Sequence, residues 1–184
     1  MSKIKNIIFD LGGVILTLDP EEAVRRFLEL GVKDAVKRLD IYTQMGIFGD
    51  LESGKITAEE FRYGVSELVG REVSYEECCY AWQGYAKELP ERNKAVLRKL
   101  RSKGYRLILL SNTNPYMMAW VDSEAFDGEG HSIRYYMDAC YLSYQMKVMK
   151  PDIAFFSRVL DSEHIKADET LFLDDGQRNV EAIS

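Results

Sequence analysis

Apolar residues follow two different patterns along this chain. Short continuous apolar runs, of the kind found in buried β-strands, end in polar or charged residues at four places. These runs cover residues 5–10, 105–114, 140–143 and 169–176. Between them, apolar side chains recur every three or four positions, as in residues 91–103 and 152–160, and predict helices. Strands that alternate with helices indicate an α/β fold.

The stretch between Asp10 and Leu107 is far too long for one helical crossover, which indicates an inserted unit. Its apolar residues have helical spacing, and Thr57-Ala58-Glu59-Glu60 is a capping box. The predicted helices cover residues 21–30, 33–42, 57–68 and 75–89. No comparable strand signal occurs between Val14 and Pro90. The sequence therefore predicts a core domain at residues 1–16 and 88–184, and a small all-helical domain at residues 17–87.

The first apolar run ends in Asp10, which is followed by Leu11-Gly12-Gly13-Val14. Ligands of open α/β sheets bind beyond the carboxyl ends of the strands, and glycines let the backbone approach a phosphate or a metal closely. Asp10 is thus placed for chemistry. The alternative is that Asp10 only ends a strand and caps a helix.

Two later segments add candidate phosphate ligands. The second run ends in Ser111-Asn112-Thr113-Asn114, where Ser111 and the next backbone amide could bind a phosphate oxygen, although such turns are common at strand ends. Lys150 is expected immediately before the helix at 152–160, with Pro151 in its first turn. The helix dipole disfavours a cation there unless an anion lies between them. A solvated loop lysine is the alternative.

The fourth run ends in the adjacent carboxylates of Asp174 and Asp175. Adjacent aspartates repel each other unless a cation lies with them. Magnesium is the natural candidate, because this hard ion is bound by one or two carboxylates, a backbone carbonyl and waters. For this pair in isolation, a solvated acidic turn is the alternative.

Taken together and in this order, the four segments resemble the haloacid dehalogenase (HAD) superfamily, most of whose members are phosphatases. The resemblance implies a doubly wound, Rossmann-like parallel sheet with a helical cap inserted after the first strand. Asp10 matches the nucleophile, Ser111 the phosphate ligand of the second motif, Lys150 the lysine of the third, and Asp174 with Asp175 the metal-binding pair. The motifs are most similar to a branch of small-molecule phosphatases that includes bacterial glucose-1-phosphatases.

The resemblance implies a magnesium-dependent phosphatase that hydrolyses a small phosphate monoester, a sugar phosphate in that branch, through an aspartyl-phosphate at Asp10. Asp10, the Gly12 carbonyl and Asp175 would hold Mg²⁺, and Asp174 would orient Lys150 or a metal-bound water.

The phosphate would be bound by four further groups. Lys150 and Ser111 would bind its remaining oxygens. Asn112 would add its backbone amide, and Asn114 would reach toward the leaving group. Met45, Phe48, Trp82 and Tyr85 could face the pocket from the cap, although aromatic residues at helical spacing are more often core.

Gly12 departs from the family pattern, because most family phosphatases carry an aspartate there as general acid and base. General acid catalysis contributes about 10²–10⁴-fold, so a catalytically weak HAD-like binding or regulatory protein is one alternative. A metal-independent haloacid dehalogenase is another, since those enzymes lack this aspartate too.

Asp19 is a conceivable substitute acid, with a helix N-cap as its other role. A signalling receiver domain is disfavoured by the order of the motifs and by the inserted helices.

Composition further narrows the possible classes of protein and of binding partner. The chain has 184 residues, 46% of them hydrophobic, which is enough for one α/β domain and a cap. The net charge of −6 and the pI near 5.1 argue against a nucleic-acid partner. No run of about 18 apolar residues predicts a membrane span. Three cysteines without metal spacing fit reduced thiols in the cytoplasm. The expected partner is a small phosphate ester, and the oligomeric state stays open.

The sequence ends inside the helix expected after Asp174 and Asp175. HAD family members usually continue through that helix to at least one more strand. If that strand is missing, its absence would leave an exposed sheet edge.

Overall fold

The computed structural model describes residues 3–39 and 44–183. Its strands and helices are numbered here in chain order. The strands are β1 (Asn6–Phe9), β2 (Thr17–Leu18), β3 (Ala86–Glu88), β4 (Arg106–Ser111), β5 (Ala139–Leu142) and β6 (Thr170–Leu173). The helices up to the second long strand are α1 (Pro20–Leu30), α2 (Ala35–Arg38), α3 (Ile47–Glu52), α4 (Ala58–Val69), α5 (Tyr75–Gln83) and α6 (Glu91–Ser102). The later helices are α7 (Pro115–Val121), α8 (Ile133–Tyr136), α9 (Ser143–Met146), α10 (Ile153–Glu163) and α11 (Gln177–Glu181), with a 3₁₀ turn at Ala167–Glu169.

Four strands form a parallel sheet in the order β5-β4-β1-β6. Strand β1 lies inside the sheet, and Phe9 at its end is in register with Leu109 of β4 and Leu173 of β6. Parallel strands end at the same edge of a sheet, so the residues that follow β1, β4 and β6 come together. This arrangement confirms the predicted α/β fold with a parallel sheet.

Side chains alternate between the two faces of the sheet, and each face has its own apolar cluster. Phe9 and Leu109 belong to the larger cluster, which continues into the inserted helices. Ile8 and Ile108 face the other way and pack with Phe155 of α10. Helices thus cover both faces, as expected for strands that read as continuous apolar runs. Strand β6 forms one edge of the sheet.

The inserted helices α1–α5 pack around a group of aromatic side chains. Phe48 contacts Phe27 and Phe61 edge-to-face, at 5.1 Å between ring centroids in both pairs. Trp82 packs against all three rings, and all four side chains are buried. The capping box at Thr57 is present at the start of α4. Phe48 is therefore core, and Met45 lies on the surface with 60% of its area exposed.

Two details of the inserted unit differ from the predictions. Strands β2 and β3 form an antiparallel pair, so the expectation of no strand between Val14 and Pro90 was wrong. The helix predicted to run to residue 89 ends at Gln83 for the same reason. Strands of two and three residues are too short to show a period of two, and their pairing joins residues far apart in the sequence.

The remaining differences concern short helices. Helix α2 spans only Ala35–Arg38 of the predicted 33–42, and residues 40–42 of that prediction lie outside the described residues. Helix α3 was not predicted, because it has six residues and contains Gly49. The division into domains at 1–16, 17–87 and 88–184 stays a prediction. Within the described ranges, no helix is both long and apolar enough to cross a membrane.

Candidate active site

A buried lysine joins two of the strand ends. The Nζ atom of Lys150 lies 2.9 Å from Oδ2 of Asp10, which follows β1, and 2.5 Å from Oδ2 of Asp174, which follows β6. The lysine is 5% exposed, and the Asp174 carboxylate is fully buried. One ammonium group therefore compensates two carboxylates in a region from which water is largely excluded.

The loop before α10 holds Lys150 differently from the prediction. Asp152 is the N-cap, and its carboxylate accepts a hydrogen bond from the Ala154 amide, so α10 begins at Ile153. Pro151, which follows a cis peptide bond, is not in the first turn. The expectation that Lys150 directly precedes the helix was therefore wrong. What places this lysine is contact with carboxylates and with a neighbouring loop.

Asn112 supplies that loop contact. Its Oδ1 accepts a hydrogen bond from the Lys150 amide at 2.9 Å, and its Nδ2 donates to the Lys150 carbonyl at 3.0 Å. The side chain thus pins the backbone of Lys150 from the end of β4, in addition to any role of the Asn112 backbone. Sequence analysis missed this link because it joins residues 38 positions apart.

Asp174 is held by groups that follow it in the chain. Its Oδ1 accepts hydrogen bonds from the Gly176 amide and from Nδ2 of Asn179, both at 2.8 Å, while Oδ2 accepts from Lys150. Both oxygens are therefore engaged, which suits a residue that orients the lysine. Sequence analysis did not identify Asn179. Its position in the first turn of the helix after Asp174 and Asp175 could have indicated a hydrogen bond to one of these carboxylates.

Asp175 lies against Gly13, and this contact requires a glycine. Gly13 has a φ of +73°, and a Cβ atom built there would lie 2.1 Å from Oδ2 of Asp175. The turn is closed by a hydrogen bond from the Gly13 amide to the Leu16 carbonyl at 2.9 Å. Gly13, the second of the two glycines after β1, thus makes room for the carboxylate of Asp175, the second aspartate after β6.

Carboxylate oxygens of Asp10, Asp174 and Asp175 lie within 4.8 Å of one another. Burial raises the pKa of Asp10 to about 6, with Lys150 lowering it and Asp174 raising it again. Burial also raises the pKa of Asp175, and the charge of Asp174 adds to this effect. Three carboxylates share one ammonium group, so the cluster has an excess of negative charge. A hard divalent cation fits this donor set, with the Gly12 backbone beside it in the same cavity.

The predicted phosphate ligands line the same cavity. Ser111 ends β4 and is buried, and Asn112 and Asn114 follow it along the cavity wall. Oδ1 of Asn114 accepts hydrogen bonds from the amides of Tyr116 and Met117, both at 3.1 Å, and so caps α7. Its amide nitrogen is thereby turned away from the helix.

The cavity has a volume of about 940 Å³ and separates the sheet edge from the inserted helices. Trp82 and Tyr85 line it on the helical side, and Arg178 of α11 lies at its border. Asp19 caps α1 by accepting a hydrogen bond from the Glu22 amide at 3.0 Å. Asp19 therefore acts as a helix N-cap in this structure, which is the alternative to its role as a substitute acid.

Residues 4–184 match the family described as haloacid dehalogenase-like hydrolases. The chain belongs to this family. A D-ribitol-5-phosphate phosphatase of Bacteroides thetaiotaomicron is 46% identical over 177 residues, which cover 96% of this chain and 85% of the relative.

Solved structures agree with this assignment. A HAD-like family hydrolase from Porphyromonas gingivalis has a TM-score of 0.92 and 40% identity, covering 99% of this chain and 87% of that one. A HAD family enzyme from B. thetaiotaomicron, crystallised with magnesium and inorganic phosphate, has a TM-score of 0.85 and 34% identity, covering 98% and 89%. The predictions of a phosphatase of this family and of magnesium as its cofactor are confirmed.

The contact between Gly13 and Asp175 leads to a testable prediction. In Gly13→Ala, the methyl group would occupy the place of the Asp175 carboxylate, so the carboxylate has to move away from the cluster. We expect the Mg²⁺ concentration for half-maximal activity to rise about tenfold or more, as for other changes that disturb metal ligands. Titration of activity with Mg²⁺ measures this shift.

Gly104→Ala is the matched control. Gly104 also has a positive φ, +82°, but nothing lies within 4 Å of the position of its Cβ. It therefore carries the same backbone strain, about 1–2 kcal/mol, without touching the cluster. Equal Mg²⁺ requirements in the two variants would contradict the role assigned to this contact.

Proposed function

We propose that this phosphatase hydrolyses phosphate monoesters of polyols or sugars, with Asp10 as the nucleophile. The observation that carries the proposal is the buried ion pair of Asp10 with Lys150 at the floor of a large cavity, beside Asp175. The 46% identity to a D-ribitol-5-phosphate phosphatase supports the substrate class. The partner of the site is thus a small-molecule phosphate ester.

Asp10 is positioned through both of its oxygens. Oδ1 accepts a hydrogen bond from the Leu11 amide at 2.7 Å, and Oδ2 is paired with Lys150. These contacts hold the carboxylate in one orientation and favour its ionised form, which is the nucleophilic one. In-line attack on phosphorus forms an aspartyl-phosphate and breaks the bond to the ester oxygen, which takes up a proton from water and departs as the alcohol.

The second step restores the enzyme. Water attacks the phosphorus of the aspartyl-phosphate, inorganic phosphate leaves, and the Asp10 carboxylate is regenerated. Lys150 and the Ser111 hydroxyl are placed to bind phosphate oxygens during both steps, and positioning and charge neutralisation supply most of the acceleration in such reactions. Asp174 keeps the Lys150 ammonium in place throughout.

Mg²⁺, held by Asp10, the Gly12 carbonyl and Asp175, would offset the repulsion between the attacking carboxylate and the phosphate oxygens. Because the three acidic residues already carry more negative charge than Lys150 compensates, removing the cation leaves that repulsion in full. The site residues therefore depend on the cation for activity.

Phosphate release from D-ribitol 5-phosphate and D-glucose 1-phosphate tests the proposal, with Mg²⁺ or with EDTA. We expect turnover with Mg²⁺, loss of turnover in EDTA, and recovery when excess Mg²⁺ is returned. A folded protein that releases phosphate from no ester would favour the binding-protein alternative. Halide release from a 2-haloacid in the presence of EDTA would favour a dehalogenase.

A further inference from the structure

One carboxyl group in the cavity takes no part in the chemistry described above. Glu52 is the last residue of α3, and it lines the same cavity as Asp10 and Ser111. Its side chain receives a hydrogen bond from Asn114. Among residues 3–39 and 44–183, no lysine or arginine forms an ion pair with it.

The backbone and the side chain of Glu52 are both held by residues that follow strands of the parallel sheet. Its backbone carbonyl accepts a hydrogen bond from the Ser143 hydroxyl at 2.6 Å, and the Ser143 oxygen in turn accepts one from the Thr113 amide at 3.0 Å. Its carboxyl group meets the Asn114 amide nitrogen, whose orientation is set because Oδ1 of Asn114 caps α7. The carboxyl group is therefore held in place beside the loop that carries Ser111.

A carboxylate has about four acceptor positions, and one amide group fills only part of them. Burial raises the pKa of Glu52 to about 7, and the hydrogen bond from Asn114 offsets this effect only in part. A partly buried carboxylate in this condition gains most from further hydrogen-bond donors. The open side of the group faces the cavity, which a substrate would enter.

We propose that Glu52 is a specificity-determining residue that accepts hydrogen bonds from hydroxyl groups of the substrate's leaving group. The inference rests on the proposed function, since it assigns a ligand to the same cavity. The substrate class that it selects is a neutral polyhydroxy phosphate ester. A phosphorylated acid, whose far end is a carboxylate, is disfavoured because like charges meet at Glu52.

A matched pair of substrates tests this selection. D-Ribitol 5-phosphate and 5-phospho-D-ribonate differ only at C1, which is a hydroxymethyl group in one and a carboxylate in the other. We expect the protein to have the higher kcat/KM for ribitol 5-phosphate. In Glu52→Gln, KM for ribitol 5-phosphate should rise about tenfold or more, because charge-assisted hydrogen bonds are lost. The preference over the acid should shrink.

Two controls make the outcome specific. Asp50→Asn removes a carboxylate from the same helix, but Asp50 is paired with Lys55 and does not line the cavity, so we expect unchanged constants. p-Nitrophenyl phosphate has no aliphatic hydroxyl group, so its KM should be unchanged in Glu52→Gln. Its turnover also shows that the variant is folded and that the phosphatase chemistry is intact.

The failures of the two proposals are distinguishable. An unchanged KM for ribitol 5-phosphate in an active Glu52→Gln variant would overturn the role of Glu52 and leave the phosphatase intact. A fall in kcat alone, with KM unchanged, would overturn it too and indicate proton transfer to the leaving group. If Glu52→Gln does not fold, Glu52→Asp, which withdraws the same charge by one methylene group, should show the same rise in KM.

Discussion

Phosphate release is expected to fall by about 10⁴-fold or more in Asp10→Asn, while the protein stays folded. Asparagine has the same shape and can still accept the hydrogen bond from the Leu11 amide, but its neutral amide is a poor nucleophile. Removal of the charge also relieves repulsion with Asp174, since burial and Asp174 together raise the pKa of Asp10. The melting temperature at neutral pH should therefore not decrease.

Steady-state phosphate release with Mg²⁺, together with thermal unfolding, measures this effect. Asp19→Asn is the matched control, because asparagine is also a good N-cap and Asp19 caps α1. Its activity should stay within a few-fold of the parent. A loss of about 10²-fold in that variant would instead identify Asp19 as the missing general acid. Undiminished turnover in Asp10→Asn would rule out Asp10 as the nucleophile.

The second large effect is expected from Lys150→Met, which removes the cation shared by Asp10 and Asp174. Two buried carboxylates then lie close together without compensation. Breaking a buried ion pair in this way typically lowers the free energy of unfolding by about 3–5 kcal/mol. Activity should be lost as well, since the lysine is placed to bind the phosphate. Because Mg²⁺ supplies another positive charge, it should raise the melting temperature of Lys150→Met more than that of the parent.

Lys94→Met is a suitable control, because Lys94 is the other buried lysine in the described part of the chain. Its Nζ atom pairs with Glu91 and Glu129, far from the strand ends that form the site. Both variants should be destabilised, but only Lys150→Met should lose activity and gain a larger response to Mg²⁺. If Lys150→Met in EDTA were as stable as the parent, the two carboxylates would not depend on the lysine.

The sequence predicted the parts of the site that follow directly from strand ends. Asp10 and Asp174 come after continuous apolar runs, and a parallel sheet brings such positions to one edge whatever the rest of the fold. Lys150 was identified for a different reason from the one that the structure gives. The helix dipole argument placed it next to α10, whereas two carboxylates and Asn112 hold it.

Contacts between distant side chains were not predictable in this way. The Asp175 carboxylate leaves room only for a glycine at position 13, and the side chain of Asn112 holds the backbone of Lys150. The two residues of each pair are far apart in the sequence, so no local pattern predicts their contact. Glu52 lies on a short helix of low intrinsic propensity, so it had no place in the predicted fold. Local periodicity determines which segments become strands, but it does not determine which loops meet above them.

The central claim is that Asp10 itself carries the phosphoryl group during turnover. Rapid acid quenching of the enzyme during hydrolysis of ribitol 5-phosphate with Mg²⁺, followed by mass spectrometry of the digested protein, tests it most directly. The account predicts a transient mass increase of one phosphoryl group on the peptide that contains Asp10, absent in Asp10→Asn. Phosphate release at full rate with that peptide unmodified at every quench time would contradict it.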